Sequence, residues 1–313
     1  MRNCNLRWLT KLERNNIKYY MDTKNGKWAK AIIELQHDNG SWGKMFHALS
    51  YPTLKYPLTT EQALRRLEIL GYTVEDKPIK KAVKYMNDCL IGKNSIPDID
   101  KTHRPWEKFI ELMLSTWIRI FTKDNEKANN IAKNWSKIVN GAFANGFYDH
   151  EQYLNELEDF FGQKINPKAP RWNDFISFYT ISLLTNELNK NIEPQYFKHV
   201  LEHKKGIYYV YYNELSKVPD KFQSKSTSSY IRAIELLSKY ENLDCKKQLF
   251  FVKNWLNGNM INNNEWDIGK EAKDNVLFPL SDSWKNERER IKDCTYKIQK
   301  IYNDIENANC NIA

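Results

Sequence analysis

Acidic and basic side chains are closest together in residues 98–104, which read Asp-Ile-Asp-Lys-Thr-His-Arg. Asp98 and Asp100 supply carboxyl groups and His103 supplies an imidazole, which are residue types used in general acid–base catalysis. A carboxyl group kept protonated by its surroundings could donate its proton to a substrate. The alternative is a solvated loop whose aspartates accept hydrogen bonds from backbone amides. We predict Asp98, Asp100 and His103 as catalytic residues.

Two other groups of acidic residues have a structural and a chemical interpretation. The triplet Asp149-His150-Glu151 combines an imidazole with two carboxylates, which suits proton transfer, but it is also typical of a helix start, and we favour helix capping. Asp267 and Asp282 lie near Trp266 and Trp284. They either face a ligand or join the last part of the chain to the first, and we keep Asp267 as a substrate-binding candidate.

The composition favours a cytoplasmic protein without a metal or cofactor. The five cysteines are widely spaced, with no Cys-x-x-Cys pair and no neighbouring histidine at metal-ligand spacing, and no Asp-Asp-x-x-Asp sequence occurs. No apolar run reaches the roughly 20 residues of a transmembrane helix, and no secretion signal is apparent at the start. The net charge of +9 is spread along all 313 residues, so we do not expect nucleic acid as a partner.

Aromatic residues are unusually frequent, with 10 Trp, 18 Tyr and 14 Phe. Many of them must lie in the interior, either packed as ordinary core or facing a cavity in which ring faces stabilise a cation. We predict that a set of these residues, together with one polar neighbour, binds the substrate: Trp106, Trp117, Trp172, Phe175, Tyr179 and Tyr230, with Asp174.

Apolar residues recur at spacings of three and four, which predicts a mostly helical chain. Period-two alternation is confined to residues 207–212, and no Ser/Gly-rich linker divides the sequence, so we expect a single domain over residues 1–313. The predicted helices are 6–20, 28–35, 60–70, 79–90, 105–121, 125–139, 151–161, 172–188, 195–202, 228–239, 247–255 and 286–305.

Helix ends follow a loose repeat. A loop with glycine and an aromatic or apolar residue follows several helices, and a polar connection then leads into another helix. If alternating helices closed into a ring, the starts of the inner helices would meet at one mouth and bring distant polar residues together. The repeated loops lie in residues 35–42, 90–96, 143–148, 201–208 and 256–266.

The clearest of these loops is residues 36–43, Gln-His-Asp-Asn-Gly-Ser-Trp-Gly. Asn39-Gly40 supplies backbone that ends a helix, and Trp42 can turn back onto neighbouring helices. The sequence Gln-x-x-x-Gly-Ser-Trp resembles the QW motif of terpene cyclases and protein prenyltransferases. The resemblance implies an all-α chain folded as an α/α toroid, a double-layered helical barrel of about five to six helical hairpins, in which the motif is part of the scaffold.

The same resemblance implies an isoprenoid-handling enzyme that binds an apolar polyprenyl substrate in a central aromatic cavity. Terpene cyclases that start by protonation carry an Asp-x-Asp-Asp acid, which Asp98 and Asp100 match in part because Lys101 stands in place of the last aspartate. Two alternatives stay open. One is a non-catalytic toroid that binds a lipid or a protein partner, and the other is a carbohydrate-active α/α barrel whose paired carboxylates cleave sugars.

Overall fold

The computed structural model describes residues 23–47, 58–97, 106–165, 174–262 and 264–306. The chain is all-α, as predicted, and within these ranges β-structure is limited to isolated bridges. The helices are α1 (Lys27–Glu34), α2 (Thr60–Ile69), α3 (Lys77–Leu90), α4 (Trp106–Phe121), α5 (Glu126–Ala142), α6 (His150–Phe161), α7 (Phe178–Leu183), α8 (Glu193–Glu202), α9 (Lys225–Ser238), α10 (Leu243–Lys247), α11 (Phe250–Gly258) and α12 (Glu287–Glu306), with a 3₁₀ turn at Lys270–Ala272.

Most helix bounds agree with the periodicity, but two predicted helices differ. The helix expected over residues 172–188 is only the six residues of α7, because the Ser177 side chain caps its start and the chain enters this cap in extended form. The helix expected over 247–255 corresponds to α11, which begins later, at Phe250, and a separate short helix, α10, ends at Lys247. The predicted helix over residues 6–20 lies outside the described residues.

Polar side chains fix several helix starts. Thr59 forms a capping box with Gln62 at the start of α2, and the Asp149 carboxylate accepts a hydrogen bond from the backbone amide of Gln152 at the start of α6. Each cap satisfies a backbone amide that has no partner within the helix. The triplet 149–151 therefore performs the capping that we favoured from the sequence.

The loop after α1 is closed by Trp42, whose side chain is fully buried. Its indole N–H donates to the carbonyl of Ile32, at 2.7 Å, and its backbone N–H donates to the Thr60 hydroxyl, at 2.9 Å. The Gln36 amide donates to the carbonyl of Pro78 at 2.8 Å. The loop thus ties α1 to the starts of both α2 and α3.

The loop after α11 repeats these bonds with Trp266. Its indole donates to the carbonyl of Leu256, again ten residues earlier, and its backbone N–H donates to the hydroxyl of Thr295 in α12. A short antiparallel bridge closes each loop, Gln36 with Trp42 and Ile261 with Glu265. The first and last loops of the proposed repeat therefore share one hydrogen-bonding plan.

Buried ion pairs join helices that are distant in sequence. Arg232 of α9 pairs with Glu235 at 2.8 Å and with Glu68 of α2 at 3.1 Å, and Lys297 of α12 pairs with Glu235 at 3.0 Å. Of these four side chains, Arg232, Glu235 and Lys297 are at most 7% exposed. Since isolated charges are costly to bury, the network holds α2, α9 and α12 in a fixed arrangement.

The beginning and the end of the described chain are in contact. The Trp28 indole donates to the carbonyl of Ser281 at 2.9 Å, and the backbone N–H of Lys27 donates to the Asp282 carboxylate at 3.2 Å. Helix α4 packs against α3, α5 and α7, and α9 packs against α12. The α1 end of the described chain is thus joined to the segment that leads into α12.

Candidate functional site

The principal cavity has a volume of about 900 Å³ and is walled largely by aromatic rings. Its walls come from α4, α5, the start of α6, the segment leading into α7, the end of α8 and the loop that follows α8. A volume of this size lies within the usual range for small-molecule sites. The aromatic lining consists of Phe109, Trp135, Tyr148, Tyr153, Phe175, Tyr179, Tyr208, Tyr209 and Tyr212, together with His150, His199 and His203.

The loop over residues 203–212 is fixed to the start of α7. The backbone N–H of Tyr208 donates to the carbonyl of Ile176, and the N–H of Phe178 donates to the carbonyl of Tyr208, both at 3.0 Å. Gly206 has a positive φ of 63°, and a side chain there would collide with the carbonyl oxygen of Tyr211. Tyr209 also has a positive φ, 72°, which is costly for a residue with a Cβ atom. This side of the cavity is therefore a specific turn rather than a loose loop.

His203 and Asp174 form an ion pair in the wall. The His203 Nε2 atom lies 3.1 Å from the Asp174 carboxylate, and its Nδ1 atom lies 2.9 Å from the carbonyl oxygen of Gly206. Both neighbours are acceptors, so both ring nitrogens must donate, which favours the imidazolium form. The hydrogen bond to Asp174 raises the pKa of His203 above its ordinary value. Burial acts to raise the pKa of Asp174, but the His203 and Ile176 hydrogen bonds outweigh it and lower that pKa.

His199 lies one helical turn before His203 and, unlike His203, favours the neutral form. Its ring packs against the Tyr148 ring, with 4.3 Å between centroids, and lies 6.2 Å from the His203 ring. Burial, followed by the positive charge of His203, lowers the pKa of His199 to about 4. No group in the described ranges hydrogen-bonds to this imidazole. Of the histidines in the wall, His203 therefore favours the charged form and His199 the neutral form.

Tyr148 lies between His199 and the start of α6. Its hydroxyl lies 2.8 Å from the Nδ1 atom of His150. Burial, with the nearby charges of Asp174 and Asp149, raises the pKa of Tyr148 well above its ordinary value. The Tyr148 hydroxyl is thus held as a neutral hydrogen-bonding group in this wall.

The substrate-binding residues predicted from the sequence divide into two groups. Phe175, Tyr179 and Asp174 line the cavity. Tyr230 and Asp267 do not: the Tyr230 hydroxyl donates to the carbonyl of Leu215, and Asp267 pairs with Arg290 at 2.7 Å.

Trp117 is also absent from the cavity wall. Its indole and the Tyr179 hydroxyl both donate to the carboxylate of Glu61, which is fully buried. The Glu61 carboxylate thus fixes the Tyr179 ring from behind the wall.

The remaining predicted residues cannot be placed. Asp98, Asp100, His103 and Trp172 lie outside the described residues, and only the backbone of Trp106 is described, at the start of α4.

Sequence reasoning missed His199 and His203 as a pair. The signal was present, because a spacing of four residues puts both side chains on one face of a helix. It was passed over because residues 201–208 were interpreted only as a repeated loop. Glu61 was missed for a different reason, since nothing in its local sequence shows that two aromatic side chains from distant helices meet it.

Comparisons of the chain with models of protein families, with curated proteins and with solved structures found no match. Within the described ranges, no cluster of three or more His, Cys, Asp or Glu side chains has a geometry suited to a metal ion. In the same ranges, none of the helices has the length and apolar character needed to cross a membrane.

Proposed function

We propose that the chain is an α/α toroid of five to six helical hairpins whose aromatic cavity binds an isoprenoid-like apolar ligand. The toroid is supported by the matching Trp42 and Trp266 loops and by the contacts between residues 27–28 and 281–282. A repeated unit at both ends of the chain, with those ends in contact, is what a closed ring of hairpins requires.

The observation that carries the ligand proposal is the cavity of about 900 Å³ lined by nine Tyr, Phe and Trp residues. A branched hydrocarbon chain gains free energy when it leaves water for such a surface, and ring faces also favour positive charge that develops on a hydrocarbon. Tyr208 and Tyr212 are partly exposed and extend this surface to the mouth of the cavity. A ligand could therefore enter with its apolar part first.

Catalysis is part of the proposal through Asp98, Asp100 and His103. These residues immediately precede α4, which contributes Phe109 and Leu112 to the cavity wall. Incubation with squalene and with polyprenyl diphosphates, followed by mass spectrometry, tests this part. Cyclised products should form from squalene by protonation of an alkene, and should be lost in Asp100→Asn but kept in Asp220→Asn, an exposed acid. Turnover that survives Asp100→Asn would remove Asp100 as the acid.

Ligand binding is tested separately by calorimetric titration with farnesol. Tyr212→Ala should weaken binding about three- to tenfold, the effect of losing one aromatic contact. Phe147→Ala is the matched control because Phe147 is 64% exposed, close to the 61% of Tyr212, but does not line the cavity. Equal effects of the two substitutions, or no binding of farnesol, would contradict the proposal.

A carbohydrate ligand is the second candidate, favoured by one observation. The exposed rings of Tyr208 and Tyr212, with centroids 6.2 Å apart, could stack on a sugar at the mouth. Titration with maltose and cellobiose separates the two candidates. Disaccharide binding without farnesol binding would favour the carbohydrate class.

A further inference from the structure

The polar groups of the cavity nearly cancel each other's charge. The positive His203 is paired with Asp174, and the Lys204 ammonium is paired at 2.6 Å with the Glu214 carboxylate, which also pairs at 3.2 Å with Lys217, a residue outside the cavity wall. Lys205 is the remaining lining cation, and it forms no ion pair with a described residue. A phosphate ester carries a charge of about −1.5 to −2 at neutral pH and a diphosphate carries more, so one exposed lysine would leave most of that charge unbalanced. The electrostatics of the cavity therefore suit a neutral ligand.

His199 offers hydrogen-bonding capacity in the half-buried part of the cavity wall. Both nitrogens of His203 already face acceptors, and the Tyr148 hydroxyl is bonded to His150. A neutral imidazole has one nitrogen that can accept and one that can donate. Among the described residues, no group uses either nitrogen of His199. A half-buried imidazole gains from a ligand that completes its hydrogen bonds.

Resting on the function proposed above, we infer that the natural ligand is a neutral isoprenoid alcohol rather than its phosphate ester, and that His199 accepts the hydrogen bond of its hydroxyl group. The apolar chain lies against the aromatic rings, and the hydroxyl lies beside the Tyr148 and His199 rings. His199 binds as a neutral acceptor because burial and the adjacent charge of His203 keep it unprotonated.

Calorimetric titration of the full chain at pH 7.5 with three ligands of one chain length tests this inference. Geraniol has a hydroxyl donor, geranyl methyl ether has the same chain without the donor, and geranyl phosphate carries the negative charge. We expect geraniol to bind about three- to tenfold more tightly than the ether, the range for one additional hydrogen bond, and more tightly than the phosphate. His199→Phe should abolish the preference for geraniol and leave the affinity for the ether within twofold.

The controls separate this inference from the function on which it rests. His37→Phe makes the same substitution at an exposed histidine outside the cavity and should keep the preference for geraniol. The ether affinity reports whether His199→Phe keeps a folded cavity. Equal binding of geraniol and ether to the unaltered protein, tighter binding of the phosphate, or a preference that survives His199→Phe would overturn the inference while leaving an apolar ligand in place. Failure of all three ligands to bind would instead overturn the proposed function.

Discussion

The indole N–H of Trp42 lies 2.7 Å from the carbonyl oxygen of Ile32, across a loop whose tryptophan side chain is completely buried. Trp266 and Leu256 repeat this relationship at 2.8 Å near the other end of the chain. In both loops a carbonyl group in the last turn of a helix accepts the indole N–H in addition to a backbone N–H, which comes from Leu35 and from Asn259 respectively. The tryptophan thus ends one helix and fixes the next.

Replacement of either tryptophan should therefore destabilise the fold. Trp42→Phe and Trp266→Phe keep an aromatic ring but remove the indole hydrogen bond and leave a smaller ring in a buried site. We expect each to lower the free energy of unfolding by about 1–3 kcal/mol. Urea unfolding followed by circular dichroism measures the change. Trp255→Phe is the control, because the Trp255 ring packs against Tyr230 and Phe222 and its indole makes no hydrogen bond with a described residue. A loss at Trp255 as large as at Trp42 would contradict the proposed role of the indole bond.

Alanine substitutions at Gly40 and Gly92 distinguish the cost of backbone strain from the cost of a steric collision. Both have positive φ angles, 95° and 76°, but a Cβ atom on Gly40 would collide with the carbonyl oxygen of Lys81, whereas nothing lies within 4 Å of one on Gly92. Gly92→Ala should cost about 1–2 kcal/mol from conformation alone. Gly40→Ala should cost clearly more, because α3 would have to move. Thermal unfolding of both variants tests this, and equal melting temperatures would show that the loop yields freely at Gly40.

Removal of one charge should destabilise the protein more at a buried ion pair than at an exposed one. Glu235→Gln leaves Lys297 without its carboxylate partner in the interior, and we expect a loss of about 3–5 kcal/mol in the free energy of unfolding. Glu289→Gln breaks the exposed pair with Lys292 and should cost less than about 1 kcal/mol. Chemical unfolding at pH 7 compares them. Similar losses would mean that the buried network contributes no more than a surface pair.

His199 and His203 predict opposite effects of pH on stability. His199 has a pKa of about 4 in the fold, below its ordinary 6.5, so the unfolded chain binds the proton more readily between these values. Stability should therefore fall as pH decreases from 6.5 towards 4. The pKa of His203 is raised, so its stabilising contribution is fully present below its ordinary pKa and is lost as pH rises through the raised value.

Unfolding free energies measured between pH 4 and pH 8 test both effects. His199→Phe should reduce the loss of stability below pH 6.5, and Asp174→Asn should bring the pKa of His203 back towards its ordinary value in an NMR titration. Asp174, Tyr148, His150, Lys204 and Lys205 are other ionisable groups of the wall, and they are unchanged in His199→Phe. If the unfolding free energy of His199→Phe falls as steeply below pH 6.5 as that of the unaltered protein, other groups cause the fall.

The sequence predicted the helices well and the site only in part. Periodicity and caps located α2 through α6 and α12 because each has a continuous apolar face and a local start signal. The periodicity gave the wrong bounds for α7. The start of this helix depends on the Ser177 cap and on the bridge between Ser177 and Tyr208, which lies in a loop about 30 residues further along the chain. Composition indicated an aromatic interior but did not distinguish Tyr179, which lines the cavity, from Tyr230, which packs away from it. That difference depends on tertiary contacts such as the bond from Tyr230 to Leu215.

Photoaffinity labelling with a farnesol analogue that carries a diazirine on its chain tests the central claim most directly, because it shows where an isoprenoid binds. The account predicts that labelled peptides come from residues 148–153, 175–180 and 199–212, and that excess farnesol prevents the labelling. It also predicts weaker labelling in Tyr212→Ala and full labelling in Phe147→Ala. Labelling that farnesol does not displace, or that falls only on peptides outside the cavity, would contradict the assignment of this pocket to an isoprenoid ligand.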